Sequence, residues 1–207
     1  MKRAVLLAAL LMLQGCGVLK PVNSPAISYY SLDSVTPAAP PIVTGQMTRP
    51  TLIINPPSAA AGFGSSRIIY LRQAHKVEYF AHSEWVESPA RMLAPLLVAS
   101  LQSTGIFRAV VLTPSAVAAD WRLNTEIVRL QHEFLGTPSR VKFTLRAHFV
   151  DEKTRRIIAI REFDISTESP SDNPYGGVSA ANLAVARVLR ELSLFSAEIT
   201  AQPVSSK

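Results

Sequence analysis

His75, Glu78 and His82 fall within eight residues of one another. Imidazole nitrogens and a carboxylate at such spacing are donors that a zinc site uses. Their setting argues against assembly. Lys76 to Ala81 (KVEYFA) has the β-branched and aromatic composition of a strand, and successive side chains of a strand face opposite ways. Glu78 and His82 then share one face, His75 takes the other, and no third same-face ligand is present, so structural roles are expected and no metal. His132 and His148 fall on neighbouring predicted strands, but a hairpin closing between Gly136 and Ser139 does not set them opposite one another. Glu162 and Asp164 share a strand face, with Arg156 and Arg161 near enough to form ordinary surface pairs. The chain contains no Gly-x-Ser-x-Gly elbow, no phosphate loop and no Gly-x-Gly-x-x-Gly. Gly62-Phe63-Gly64 reads as a turn. Nothing pairs a nucleophile with a base, so no catalysis and no cofactor are expected.

The most specific chemistry belongs to Cys16, the only cysteine among 207 residues. Lys2 and Arg3 supply a positive start, and Ala4 to Leu13 is an uninterrupted apolar run. That is the arrangement of a secretory signal, and it falls well short of the roughly 20 apolar residues that span a bilayer. Gln14, Gly15 and Pro21 interrupt any continuation as a core helix. Leu13-Gln14-Gly15-Cys16 resembles a bacterial lipobox, with Cys16 becoming the lipidated N-terminus after cleavage. A free cysteine often packs as a small hydrophobe, but one at a cleavage junction has no core to join. Two or more acyl chains, at about 0.8 kcal/mol per buried CH₂, anchor a protein stably where one does not. Gly17 stands where an Asp would direct retention in the inner membrane under enteric-type sorting. The expected address is therefore the periplasmic face of the outer membrane.

Cleavage before Cys16 leaves 192 residues, enough for one domain with a substantial core. The mature chain has no disulfide, so burial alone must hold it together in an oxidising compartment. The net charge of +6 includes Lys2 and Arg3, and no run of five like charges occurs. A nucleic-acid partner is not expected, although weak attraction to anionic headgroups remains open.

The organisation is an N-terminal signal over residues 1–15, a lipidated tether over 16–26, one domain over 27–199 and a tail over 200–207. Thr36 to Pro50 (TPAAPPIVTGQMTRP) is too rich in proline for regular structure. Strands are predicted at Ile27–Asp33, Thr51–Asn55, Arg67–Arg72, Lys76–Ala81, Asp120–Phe134, Arg140–Val150 and Arg156–Thr167. Val141, Phe143, Leu145, Ala147 and Phe149 alternate with polar residues, as on a half-buried antiparallel strand. In the preceding strand Val128, Leu130 and Phe134 fall out of step with Trp121, Leu123 and Ile127, which predicts a bulge near Ile127. Ser88-Pro89 opens a helix that Gly105 closes, with Pro95 inside it expected to kink it or mark a later start. Val178 to about Ile199 forms an amphipathic helix with its stripe along Val178, Ala181, Val185, Val188, Leu189, Leu192, Phe195 and Ile199. The fold class is α+β: a mainly antiparallel β-sheet packed against helices in a single domain.

Three segments carry a resemblance. They are Tyr29-Tyr30-Ser31-Leu32, the hairpin with Val77-Glu78-Tyr79-Phe80 leading through Trp85 and Pro89 to Met92-Leu93, and Ser103-Thr104-Gly105-Ile106-Phe107 followed by Val110. Together with the order of later elements they resemble the ABC-type transport auxiliary lipoprotein family, the PqiC-like lipoproteins of MCE-type lipid transport systems. The likeness spans about Ile27 to Ile199 and rests on hydrophobic and aromatic positions, with no match over Thr36 to Thr48. It implies a binding and docking role for an ATP-driven system that moves phospholipid or another hydrophobic molecule, with an MCE-domain protein as partner. Direct contact with phospholipid and a ring-like homo-oligomer are left open by it. An adaptor of another envelope-assembly or cell-wall machine is the rival reading, and a small periplasmic enzyme using His75, Glu78 or His82 a third. Trp85 either plugs the junction of sheet and helix or joins Tyr79 and Phe80 in an exposed partner-binding patch, since aromatics dominate interface hot spots.

Overall fold

The computed structural model describes residues 25–33 and 49–201. Cys16, the signal segment and the proline-rich loop up to Thr48 lie outside the described residues. Nine strands and two helices follow in the order β1 (Ser28–Tyr30), β2 (Thr51–Ile54), β3 (Ser58–Ala59), β4 (Arg67–Gln73), β5 (Lys76–Trp85), α1 (Pro89–Ser103), β6 (Ala109–Leu112), β7 (Trp121–Glu133), β8 (Arg140–Asp151), β9 (Ile157–Glu168) and α2 (Pro174–Ala201). They form a single α+β domain with one mixed sheet.

The long ladders are the antiparallel ones. β7 pairs with β8 from Trp121↔Asp151 to Glu133↔Arg140, and β8 pairs with β9 from Arg140↔Glu168 to Val150↔Ile157. The other edge of β7 takes three parallel strands in succession: β2 at Trp121 to Leu123, β3 at Glu126 and Ile127, and β4 at His132 and Glu133. Beyond β2 lies β6, also parallel. Beyond β4 lies β5, antiparallel, and then β1, parallel. The expectation of a mainly antiparallel sheet holds for the long strands, while the short strands β1, β2, β3 and β6 pair in parallel. β3 and β6 escaped the sequence because two and four residues are too few to show a period.

Local geometry bears out the bulge expected near Ile127 and changes the end of one strand. The bulge lies between Ile127 and Arg129. The extra residue, Val128, returns Leu130 and His132 to the face of Leu123 and Ile127, so Leu130 is buried where simple alternation put it outside. The strand ending at Ala81 in the sequence reading continues to Trp85, past a register shift against β4. Pro95 sits within α1 as one of its exposed residues, and the helix runs through it from Pro89. Ser88 takes the N-cap position, but its carbonyl, not its hydroxyl, meets the N–H groups of Arg91 and Met92.

α2 lies across β8 and β9 and touches α1 where the hydroxyls of Ser100 and Ser193 meet at 3.2 Å. All eight residues of its expected stripe are buried, facing Val141, Phe143, Leu145, Ala147 and Phe149 of β8. The opposite face of β7–β8–β9 is an ion-paired lattice. Arg146 reaches Glu126 at 2.8 Å and Glu162 at 2.9 Å, Arg122 holds Glu152 with two bonds of 2.7 and 2.8 Å, and Lys142 reaches Glu133 at 3.1 Å. The pairing expected between Glu162 or Asp164 and Arg156 or Arg161 does not form. Glu162 takes Arg146 across the ladder, Asp164 accepts from Thr144 Oγ1 at 2.7 Å, and Arg161 reaches over Phe195 to Glu198. Arg161 alternates to the helix side of β9, away from Glu162 and Asp164, and those two carboxylates meet the residues directly opposite them on β8.

α2 begins four residues before the predicted start. Asn173 Oδ1 accepts the Gly176 N–H at 2.9 Å, and Pro174 opens the helix, a cap-and-proline signal that was legible in Asn173-Pro174. The early start puts Gly176 and Gly177 in the first turn, against β7. A Cβ on Gly177 would lie 2.5 Å from His132 Nδ1, and one on Gly176 would overlap the Ser171 carbonyl oxygen. His132 is 2% exposed. Its Nε2 meets Ser139 Oγ at 2.8 Å, its Nδ1 has no partner, and Phe134 stacks beside it at 4.2 Å. Asp172 binds Ser139 from the other side and accepts its backbone N–H at 3.3 Å.

Two predictions follow from this junction. In an unobstructed helix Gly→Ala stabilises by up to about 1 kcal/mol, but here the imidazole occupies the space. Gly177→Ala is expected to destabilise by about 1–3 kcal/mol, read as a lower midpoint in urea; an unchanged or raised midpoint would refute the close approach. The second concerns acid. Burial pushes the His132 imidazole below its ordinary value, against the weaker pull of Asp172. The folded state therefore favours the neutral ring, and its contribution is complete above the ordinary imidazole value of about 6.5. It is lost as pH falls from there through the lowered value. Asp172, held down first by the Ser139 side-chain hydrogen bond, adds a separate loss only below the ordinary carboxylate range. Thermal melts from pH 7.5 to 5 should show a falling Tm, flattened in His132→Gln over the same interval; equal slopes in both proteins would remove His132 as the cause.

Candidate functional site

Among the described residues no group of three His, Cys, Asp or Glu could hold a metal ion. Glu78 pairs with Lys76 at 3.8 Å, and His75 occupies a left-handed turn position with φ 66°. His132 and His148 are not opposed: His132 faces Val141 and His148 faces Asn124. The structure does bring a serine to a histidine, Ser139 to His132, which the sequence reading did not foresee because seven residues and a reverse turn separate them. The order of contacts is unlike that of a hydrolytic triad, in which the acid orients the histidine. Here Asp172 binds the serine, His132 Nδ1 faces Gly177, and Ser139 is 1% exposed. The group ties the first turn of α2 to the end of β7.

The three aromatic candidates do not form one exposed patch. Trp85 is 4% exposed and belongs to the core with Leu32, Met92 and Ile68; its backbone N–H donates to the Ser66 carbonyl at 2.7 Å. It plugs the junction of sheet and helix, and a partner cannot reach its ring while the domain is folded. Phe80 is half-buried against Tyr70, with ring centroids 4.4 Å apart, and near Phe134 at 6.5 Å. Tyr79, also half-buried, lies under the Arg67 guanidinium at 3.8 Å. Phe80 is drawn inward because β4 is flanked by β5 and β7, which places the Tyr70 ring beside it.

A concave surface among the described residues lies elsewhere, between β1 with its exit segment and the N-terminal half of α2. It is a groove of about 940 Å³, at the upper end of the range of small-molecule sites. Asn182 joins its two walls: its side chain accepts from the Asp33 N–H at 3.0 Å and donates to the Ser31 carbonyl at 3.1 Å. Tyr29 and Tyr175 stand at the groove, 62% and 68% exposed, with Leu183, Pro138 and Pro170 among its other apolar lining residues. Its charged lining groups among the described residues are Asp33 and Glu168. Glu168 pairs with Arg140, and Asp33 accepts from Ser31 Oγ at 2.9 Å. Tyr29 and Tyr30 belong to a segment quoted above for its resemblance. Tyr175, from a different element 145 residues away, could be brought beside them only by the fold.

The family model for the ABC-type transport auxiliary lipoprotein component matches residues 30–193. Among solved structures, protein XCC0632 from Xanthomonas campestris, of family DUF330, superposes with a TM-score of 0.73 at 21% identity, over 85% of this chain and 100% of that one. The hypothetical protein CT253 from Chlamydia trachomatis superposes with a TM-score of 0.52 at 11% identity, over 75% of this chain and 100% of that one. At such identities the two structures show a shared fold. No curated protein matches. The family match begins at Tyr30, the last residue of β1, takes in β2 to β9 and α1, and ends at Ser193, where α2 meets α1; the chain belongs to the ABC-type transport auxiliary lipoprotein component family.

Proposed function

We propose that the protein is a periplasmic lipoprotein, anchored in the outer membrane through acyl chains on Cys16, that serves as the docking component of an MCE-type ABC transport system. The cargo is phospholipid or another hydrophobic molecule. The observation that carries this reading is the family match across residues 30–193. The geometry supports docking over chemistry: the Ser139–His132 contact is sealed inside the domain, and the groove between β1 and α2 offers an aromatic surface without a reacting group. No helix among the described residues is long and apolar enough to cross a membrane.

Crosslinking in intact cells, followed by identification of the captured proteins, tests the partner. An MCE-domain protein should be recovered, at lower yield from the Cys16→Ala variant, and labelled palmitate should enter the wild-type protein only. Recovery of a cell-wall or outer-membrane assembly complex without an MCE protein would overturn the transport role. Equal palmitate labelling of the Cys16→Ala variant would overturn the anchor.

A further inference from the structure

We propose that the groove between β1 and α2 takes an extended, proline-containing segment with basic flanks from a partner protein. The proposal rests on the docking role given above and names the chemistry of the docked segment. Tyr29 and Tyr175 are large aromatic side chains left mostly in solvent, on two different elements that meet at the groove. Pro138 and Pro170 line the same groove. Neither has an N–H to donate, and both hold a rigid apolar surface. A groove lined by aromatic rings is what polyproline II segments dock against, because the ridges of that helix pack between rings and its preset backbone loses little entropy on binding.

Charge narrows the occupant. The chain carries a net charge of +6, yet among the described residues the groove is lined by the carboxylates of Asp33 and Glu168 and by no lysine or arginine. Arg140 sits beside Glu168 and offsets it, while Asp33 has only a hydroxyl on its carboxylate. Asp172 lies just beyond Pro170 and is turned toward Ser139. Such a lining repels phosphate and favours arginine or lysine at the ends of the segment. An anionic headgroup fits this charge pattern poorly.

The test is fluorescence anisotropy of the purified protein with the labelled peptide Arg-Pro-Pro-Ala-Pro-Pro-Lys. A twin with glutamate at both charged positions and a twin with glycine for every proline are run beside it. Saturable binding is expected, weakened by about tenfold or more in Tyr175→Ala and for the glutamate twin. Because Tyr175 is so exposed, Tyr175→Ala should keep the wild-type melting curve, and Tyr29→Ala provides a second probe from the other wall. Absent saturation at millimolar peptide, equal affinity for the glutamate or glycine twin, or indifference to both tyrosine variants would each overturn the proposal. Binding that appears only when residues 36–47 are deleted would assign the groove to the chain's own segment, and so overturn a partner's claim to it. Phosphatidylethanolamine vesicles retained by wild type but not by Tyr175→Ala, without peptide binding, would assign it to lipid. The outcomes separate from those of the crosslinking experiment: an MCE partner recovered without peptide binding removes only this occupant, and peptide binding without that partner removes only the transport role.

Discussion

β7 is hydrogen-bonded on one edge to β8 along its full length and on the other to β2, β3 and β4 in turn. A strand so used has to satisfy two hydrogen-bonding edges and two packing faces at once. Its inner face supplies Trp121, Leu123, Ile127 and Leu130 to the core, and its outer face supplies Arg122, Glu126 and Glu133 to the ion-paired lattice. The bulge at Val128 makes this possible, because a slip of one residue would exchange the two faces. The rest of the molecule is arranged from this strand: α2 is pressed on the sheet where β7 ends, β4 brings β5 and β1 with it, and β1 forms one wall of the groove.

The same strand explains the contrast between the two polar regions. On the outer face, arginine and glutamate meet across the β7–β8–β9 ladders in partial solvent, where each pair contributes little alone but together they fix register. Arg122 and Glu152 are the least exposed of these pairs; the two-pronged bond raises the arginine's proton affinity and holds the glutamate below its ordinary range. At the end of β7 the polar group is buried instead. His132 there keeps one nitrogen satisfied by Ser139 and leaves the other against a glycine of α2. An unpaired buried nitrogen is costly, and here it accompanies the close approach of helix and strand that forms the end of the groove near Pro138 and Pro170.

The resemblance in the sequence rested on aromatic and hydrophobic positions, and the structure divides those positions by role. Trp85, Phe107, Met92 and Leu93 are core; their recurrence in the pattern reflects packing. Tyr29 is different, since it belongs to the pattern and yet stands in solvent. Tyr79 and Phe80 fall between, each half-covered by a neighbour on the adjacent strand β4. Residue type alone could not sort these aromatics, because a tyrosine or tryptophan suits a core and an interface equally well.

By itself the sequence determined the elements with long, regular periods: the alternation of β8, the stripe of α2 and the departure from alternation that marks the bulge in β7. These are local, since a period of two or of 3.6 is written into neighbouring residues and needs nothing distant to be read. The lipid attachment proposed for Cys16 is likewise a local reading, since it rests on the residues just before it. The tertiary structure alone decided that four short strands pair in parallel, that Arg146 takes Glu126 and Glu162, that Ser139 meets His132, and that Trp85 is sealed while Tyr29 and Tyr175 are brought together. Each of these depends on contacts between residues far apart in the chain. Such contacts are set by how two faces and two edges of one sheet are satisfied together, and no window along the sequence contains them.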